Sequence, residues 1–438
     1  MTQLTVEPAR ERGAQPAPRS GAASTAGGSL ALAVAVVAWA SVLLQILRHR
    51  IFVSHDTVIN YAHTWYLAER GPSLRMPVLG HGEAYTFPYG VVPWSLAALL
   101  RPLLGDWAVT LVLVGAIVGL IAATFWAFPE LRRGWWATAV LVDPALVTGA
   151  LIGQLSFLAG SALLFTAIGA WRRGRAAAAV VAAGLAQATH PAIVLPLALL
   201  LVAGRLPWEP QRRRLATAYA ASLAIALPAV WVTLQVPVVQ ETSLWVKAFG
   251  FVATLAPRSL ILVVPLALVL LRRYLPAAWR TAPTGPAVVA ALLLATAGMW
   301  LPLGMPWAWG ALGRTPDTRM DDFTQGNHGF ERGATYRVLR VADGKIGMYQ
   351  LLQGGGRLDA EFFPESIDRR SWPTTSEYAA FLHRRRVDFV MVWDGYDQRF
   401  GTNEHALLDE MLTAPLAGTT VTRVDRTGDY DLFAVVHH

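Results

Sequence analysis

The chain has 438 residues, 54% hydrophobic and 15% charged, against roughly a quarter charged in an ordinary soluble domain. Its net charge of +8 is unevenly spread: residues 1–304 carry 22 Lys/Arg against 10 Asp/Glu, a balance of +12, whereas residues 305–438 carry 15 against 19, a balance of −4. The basic excess therefore sits in the apolar part, where it suits cytoplasmic loops and lipid headgroups rather than nucleic acid, and the lack of cysteine excludes disulfides, thiol catalysis and thiolate metal sites.

Residues 1–28, rich in Pro, Ala, Gly, Ser and Arg, read as a disordered cytoplasmic tail. Ser29–Leu47 is apolar over about 19 residues, long enough to span a bilayer. It is also longer than the apolar stretch of a signal peptide, so an uncleaved first helix is expected. Further apolar segments follow at 107–128, 135–150, 155–171, 176–189, 191–204, 215–235, 251–271 and 285–304. Lipid cannot satisfy backbone groups, so each is expected to be helical.

Arg132–Arg133, Arg172–Arg173–Arg175, Arg212–Arg213–Arg214 and Arg272–Arg273 are separated by pairs of spans. All can lie on one side, which the positive-inside rule makes the cytoplasm. Residues 91–104 set the parity. They are about 14 in number and are interrupted by Pro93 and Arg101–Pro102, which suits an interfacial or re-entrant helix better than a span. The expected architecture is an all-α polytopic bundle of nine spans, or ten if 91–104 crosses, occupying 29–304. Loop 48–106 and the C-terminal domain 310–438 then lie outside.

From about residue 310 the period changes. Tyr336–Val341, Met348–Leu352 and Val387–Trp393 read as strands. Thr375–Arg386 and Glu404–Leu412 read as helices, the first with Thr/Ser caps ahead of Glu377. Thr419–Val436 reads as a hairpin turning at Thr427–Gly428–Asp429. Together they predict a small α/β domain. The triple glycine Gly354–Gly356 lacks the following Lys-Ser/Thr of a phosphate loop and reads as a turn, and Asp394, Gly395 and Asp397 read as a solvated loop.

The loop after the first span concentrates polar, acidic and aromatic side chains in a chain otherwise poor in acids. Asp56 follows the first span closely, which places it near the membrane surface, with Glu69 and Glu83 as further carboxylates. A carboxylate there can take the proton of an acceptor hydroxyl, and a second carboxylate or a metal can offset developing phosphate charge. Ser54-His55-Asp56-Thr57 is also good capping chemistry for a helix beginning near Thr57. Tyr85, Phe87, Tyr89 and Trp94 can stack on a sugar or form an interfacial aromatic belt. His55, His63 and His81 with Asp56 and Glu83 match no recognised metal motif, so a divalent metal is compatible with the sequence without being specified by it. Asp143 lies inside a span before Pro144, either functional or a cap for a restarted half-helix. Gln154 and His190 fall at the ends of adjacent hairpins on the side of Asp56, and Arg258 starts a span on that side as a snorkelling or phosphate-facing cation. No Gly-x-Ser-x-Gly, Walker loop or His-Glu-x-x-His is present.

The pattern Asp56…Tyr61…Trp65-Tyr66-Leu67…Gly71, followed by Phe87-Pro88-Tyr89-Gly90 opening an apolar helix, resembles the first extracytoplasmic loop of GT-C-type membrane glycosyltransferases. The usual second Pro of that turn is Tyr89 here. Residues 153–202, with Gly153-Gln154, an Arg-Gly-Arg loop and a polar residue before Pro191, resemble the middle of bacterial polyprenyl-phosphate-mannose-type mannosyltransferases. The polar residue is often Lys there and is His190 here. The loop is also similar to that of an uncharacterised family of multi-span proteins named for a pterin-synthase-related region. The GT-C resemblance covers about residues 30–205 and implies an inverting hexosyl transfer from a polyprenyl-phosphate sugar donor to an extracytoplasmic acceptor. Asp56 and Glu83 would be catalytic, with His55, Tyr61, Tyr85, Tyr89, Asp143, Gln154, His190 and Arg258 around the substrates. A non-catalytic scaffold on the same fold, or a lipid or solute transporter, remains the alternative.

Overall fold

The computed structural model describes residues 20–52, 57–73, 75–80, 90–190, 209–235, 261, 263–273, 284–300, 323–325, 329–339, 345–360, 370–414, 416, 418–427 and 430–438. It shows an all-α apolar bundle carrying a small C-terminal α/β domain. In chain order the bundle contains α1 (Ser20–Leu47), α2 (Thr57–Arg70), α3 (Val91–Leu104), α4 (Trp107–Ala127), α5 (Gly134–Leu141), α6 (Pro144–Ile152), α7 (Leu155–Arg172), α8 (Ala176–Thr189), α9 (Glu209–Gln235) and α10 (Thr284–Trp300).

Among the described residues four stretches are long and apolar enough to cross a membrane: Ala26–Leu47, Trp107–Ala127, Gly134–Ile152 and Leu155–Arg172. The 21 residues of α4 extend about 31 Å at 1.5 Å per residue, the thickness of a hydrocarbon core. Helix α1 begins nine residues earlier than composition suggests. Residues 20–28, expected in the disordered tail, are helical, and Gly27 and Gly28 let that end approach Trp135. Span 191–204 and most of 251–271 lie outside the described residues.

Packing fixes which helix ends share a side. At one end, Thr110 Oγ1 of α4 donates to Arg50 O just beyond α1 (3.1 Å), and Arg50 pairs with Asp106 (3.4 Å). At the opposite end Arg172 of α7 bonds Ala127 O and pairs with Glu130 (3.2 Å), and Arg173 lies over Trp126 (4.2 Å). Arg214 faces Trp171 (5.8 Å) and Arg272 faces Trp136 (6.0 Å). The described members of the four arginine clusters therefore gather at one end of the bundle, and loop 48–106 meets the bundle at the other. Each cation–aromatic pair also shields an arginine at the level where chain leaves lipid.

Helix α3 does not cross between these ends. At its start Gly90 N–H donates to Thr189 O (2.6 Å). At its finish Arg101 approaches Asp106 (3.7 Å), immediately before α4. Both ends lie on the loop side. Leu99 and Leu103, 76% and 85% exposed, form the outward apolar stripe expected of a helix lying in an interface.

In the C-terminal domain the strands are β1 (Thr335–Leu339), β2 (Arg357–Leu358), β3 (Phe389–Trp393), β4 (Thr419–Thr427) and β5 (Tyr430–His437), in the order β2-β1-β3-β5-β4. β1 pairs in parallel with β2 and β3, and β5 antiparallel with β3 and β4. The helices are α11 (Lys345–Gly354), α12 (Thr375–Arg384), α13 (Tyr396–Phe400) and α14 (Glu404–Thr413). Both sheet faces are covered, as a sheet of buried parallel strands requires. Val390 and Val392 of β3 meet α12 and α14 through Phe381, Leu382, Leu408 and Met411. Phe389, Met391 and Trp393, on the other face, join a core continuous with the bundle.

Residues 348–352, expected as a strand, are helical within α11. Met348, Leu351 and Leu352, with Tyr349, repeat at three and four residues and bury one helical face, a period that a five-residue apolar window hides. Asp394 and Gly395 form the exposed turn expected, whereas Asp397 falls in the short helix α13 rather than in the loop. Asp397 accepts from His405 N–H (2.9 Å), Ala406 N–H (3.2 Å) and the Thr402 hydroxyl (2.8 Å), bracing the first turn of α14.

Candidate functional site

On the loop side, four helix ends converge. Helix α2 starts at Thr57, the residue after Asp56, and its first turn reaches into the bundle. Asn60 Nδ2 donates to Gly153 O (3.2 Å), and Asn60 Oδ1 accepts from Trp94 Nε1 of α3 (2.8 Å). His63, one turn further on, stacks on the Trp94 ring (centroids 4.2 Å apart, planes 9°). Buried amide and indole groups need partners, and these satisfy one another across three segments.

The glycines at this point are required by geometry. Gly153 ends α6 with φ +74°, the left-handed cap that glycine adopts without strain. Gly90 has φ +84°, and a Cβ there would lie 2.6 Å from Trp94 and 2.7 Å from Ser156 Oγ. Only a residue without Cβ lets the chain pass between α3 and the first turn of α7.

The described candidates fall around this junction or beneath it. Gln154 occupies the N-cap position of α7, and His190 the C-cap of α8 with its ring edge-on to Phe157 (5.3 Å, 75°). The bond from Gly90 to Thr189 O ties the α8 end to the start of α3. Tyr61 is fully buried, and its hydroxyl accepts from Phe52 N–H (2.9 Å) and bonds Thr110 Oγ1 (2.6 Å), which commits it to packing. Burial pushes that phenol well above its ordinary pKa, with the Thr110 and Phe52 hydrogen bonds acting against the shift. Asp143 caps the half-helix α6, accepting from Ala145 N–H (2.9 Å) with Pro144 in the first helical position. His55, Asp56, Glu83, Tyr85, Tyr89 and Arg258 lie outside the described residues. Among the described residues no group of three His, Asp or Glu side chains is placed to hold a metal.

Asn60, Ser156 and Thr189 were not legible as site residues, and Trp94 was legible only as a ring for stacking, not as a hydrogen-bond partner. Their contacts join segments from 34 to about a hundred positions apart, and the one local signal was the cluster of polar types in Thr57–Thr64.

A second polar focus joins the C-terminal domain to this side of the bundle. Tyr349 of α11 donates its hydroxyl to Asp106 (2.8 Å), and its ring lies 5.9 Å from that of Tyr61. Nearby, Leu358 N–H of edge strand β2 donates to Val78 O (2.9 Å), and Leu79 bridges Leu358 in parallel. The loop thus adds one bridge to the domain's sheet, a short internal form of strand addition.

No protein-family model and no curated relative matches the sequence. Among solved structures, ArnT from Cupriavidus metallidurans in the apo state matches with a TM-score of 0.50 at 15% identity, over 94% of this chain and 98% of that one. The same protein bound to undecaprenyl phosphate matches with a TM-score of 0.48 at 16% identity, over the same shares. The chain shares the fold of that structure over nearly its whole length. In this arrangement the junction of α2, α3, α7 and α8 is where the expected loop chemistry meets the bundle, and the likeness of fold covers 94% of the chain.

Proposed function

We propose that the protein is a membrane glycosyltransferase of the bacterial plasma membrane that moves a hexose from a polyprenyl-phosphate donor to an extracytoplasmic acceptor, with inversion at the anomeric carbon. The convergence of the α2, α3, α7 and α8 ends on one side carries this reading. It gathers polar groups beside the chain that follows Asp56, opposite the arginine end, on the fold shared with ArnT. A transporter would favour polar groups at the midplane.

In this reading Asp56 is the base. It takes the acceptor hydroxyl proton as the acceptor oxygen attacks the anomeric carbon, and the sugar–phosphate C–O bond breaks with its electron pair left on phosphate. One displacement inverts the centre. Glu83, Tyr85, Tyr89, His55 and Arg258 are proposed to line the donor and acceptor, Gln154 and His190 to bound the site, and Asp143 and Tyr61 to support it through packing. A divalent metal held by the loop carboxylates would help neutralise the leaving phosphate.

The test is Asp56→Asn in membranes supplied with a radiolabelled polyprenyl-phosphate hexose and cell-envelope acceptors. Loss of a general base lowers the rate by about 10²–10⁴, whereas loss of a cap alone costs about 1 kcal/mol of stability. Near-full transfer by a folded Asp56→Asn protein overturns the assignment of Asp56. Failure of the wild type to transfer from any such donor overturns the glycosyltransferase reading.

A further inference from the structure

Three arginines converge on the end of α4 that faces away from loop 48–106. Arg132 Nε donates to Phe125 O (3.0 Å), Arg173 Nη2 to Trp126 O (2.8 Å) and Arg172 Nη1 to Ala127 O. The three carbonyls are consecutive, so they lie within one helical turn of about 5.4 Å pitch. Capping explains part of this arrangement, because a cation relieves the unpaired carbonyls at a helix C-terminus. It does not call for three. The dipole end supplies about half a negative charge, and among the described residues only Glu130 pairs with the cluster, 3.2 Å from Arg172. Three positive charges are therefore drawn together with too little negative charge to balance them. Each guanidinium carries five N–H donors, and the bonds to Phe125, Trp126, Ala127, Gly169 and Glu130 occupy one or two on each side chain. All three residues are exposed.

The flank of α4 below this cluster is open. Leu111, Gly115, Val118 and Ala122 recur at spacings of four and three, which puts them on one helix face, and all four are exposed. Among the described residues no atom lies within 4 Å of the point where Gly115 or Gly119 would carry a Cβ. Leu111 and Val118 thus stand as ridges beside a shallow strip at Gly115, Gly119 and Ala122. Trp126 continues that strip by one more turn, and its ring lies 4.2 Å from the Arg173 guanidinium carbon.

We propose that Arg132, Arg172 and Arg173 bind the phosphate of an anionic phospholipid, with an acyl chain lying along the open strip of α4. The positive-inside rule makes this a lipid of the cytoplasmic leaflet. Depth selects a lipid over a soluble anion. The 21 residues of α4 match the hydrocarbon thickness, so its last carbonyls lie at headgroup level and the strip below them faces acyl chains. Bonds to the backbone hold the guanidinium groups in place before the lipid arrives, which lowers the ordering cost of binding, and their planar forks suit phosphate oxygens. A zwitterionic headgroup brings an ammonium that the cluster repels, so the site prefers a net negative lipid. It lies at the opposite end of the bundle from the junction of α2, α3, α7 and α8, and it stands or falls independently of the proposed sugar transfer.

The experiment titrates the delipidated, detergent-solubilised full-length protein with phosphatidylglycerol, phosphatidylethanolamine or glycerol 1-phosphate and reads occupancy by native mass spectrometry. Wild type is expected to prefer phosphatidylglycerol to phosphatidylethanolamine and to bind glycerol 1-phosphate far more weakly than the intact lipid. Arg132→Gln is expected to weaken phosphatidylglycerol about tenfold, as loss of a hydrogen bond to a charged group does, with phosphatidylethanolamine unchanged. Gly119→Leu fills the strip and is expected to weaken both lipids. A wild type without preference between the two lipids overturns the site. So does an Arg132→Gln protein that loses thermal stability but keeps the preference, because the arginines then only cap α4. Glycerol 1-phosphate bound as tightly as phosphatidylglycerol would make the cluster a soluble-anion site. A Gly119→Leu protein that turns from dimer to monomer with lipid binding intact would make the strip a contact between two copies of the chain. Should Arg132→Gln fail to fold, Arg173→Gln reads the same cluster.

Discussion

Arg337 shows how a single side chain organises the C-terminal domain. It stands in the middle of β1 and is 1% exposed. Its guanidinium grips Glu404 with two bonds (2.7 and 2.8 Å), donates to Asp359 (2.7 Å), and lies 4.8 Å from the Phe381 ring. Burial disfavours the charged form, but the two carboxylates more than offset this and hold its pKa well above the ordinary arginine value. The planar fork suits such a bidentate pair. Arg337→Met is expected to destabilise the protein by about 3–5 kcal/mol, because it strands two buried carboxylates. Chemical denaturation of the solubilised full-length protein, followed through its C-terminal domain, measures this, and a loss below about 1 kcal/mol sinks the account. Alternation along Tyr336–Val341 predicts an outward, solvated Arg337. What alternation could not carry is the second layer of helices on the other sheet face, set by α12 and α14 some 40 to 70 positions later.

At the scale of elements, the bond between Tyr349 and Asp106 holds α11 to the start of α4, with the Tyr349 ring against Tyr61 of α2. Asp106 is buried and also faces Arg50 and Arg101, so its negative charge is partnered from both sides. Burial and the Asp106 charge push the Tyr349 phenol well above its ordinary pKa. A raised pKa means that the stabilisation is complete below the unfolded value of about 10 and is lost as pH rises through the folded one. The Tyr349 phenol therefore keeps its proton, and the hydrogen bond it donates, at neutral pH. Tyr349→Phe keeps the ring and removes the donor. The expected cost is about 1–3 kcal/mol, with faster amide exchange in both α11 and the start of α4, read by hydrogen–deuterium exchange mass spectrometry. Exchange that rises in α11 alone would show that this bond does not hold the start of α4. The sequence made the spans legible because lipid admits only long internally bonded runs. It hid this latch because Tyr349 and Asp106 are 243 positions apart. It also hid the helical start of α1, where a Gly- and Ser-rich stretch is kept helical by close packing on Trp135. In the candidate site, Gln154 and His190 were legible as polar residues at apolar helix ends, whereas the close approach of Gly90 to Ser156 and to the Thr189 carbonyl was not, because it joins segments 66 and 99 positions apart.

For the whole molecule, sidedness follows from contacts once one end is assigned. Arg172, Arg214 and Arg272 mark one end, while Gly153, Thr189, Asp106 and Tyr349 mark the other. The positive-inside rule puts the arginine end in the cytoplasm, so the C-terminal domain and loop 48–106 are proposed to be extracytoplasmic together. The natural absence of cysteine makes this directly measurable with single thiols at exposed positions. Arg175→Cys reports the α7–α8 turn, Arg384→Cys the C-terminal domain, and Arg70→Cys the end of α2, all three exposed. A membrane-impermeant maleimide added to spheroplasts is expected to label Arg384→Cys and Arg70→Cys, and to label Arg175→Cys only after permeabilisation. The Arg70 site is the discriminating one. Were α3 a span, α2 would lie on the arginine side, and Arg70→Cys would label with Arg175→Cys. Labelling of Arg70→Cys with Arg384→Cys instead requires α3 to start and finish on one side, as its contacts to Thr189 and Asp106 demand. Labelling of Arg175→Cys from outside, with Arg384→Cys protected, would invert the molecule and move the proposed sugar transfer to the cytoplasmic face.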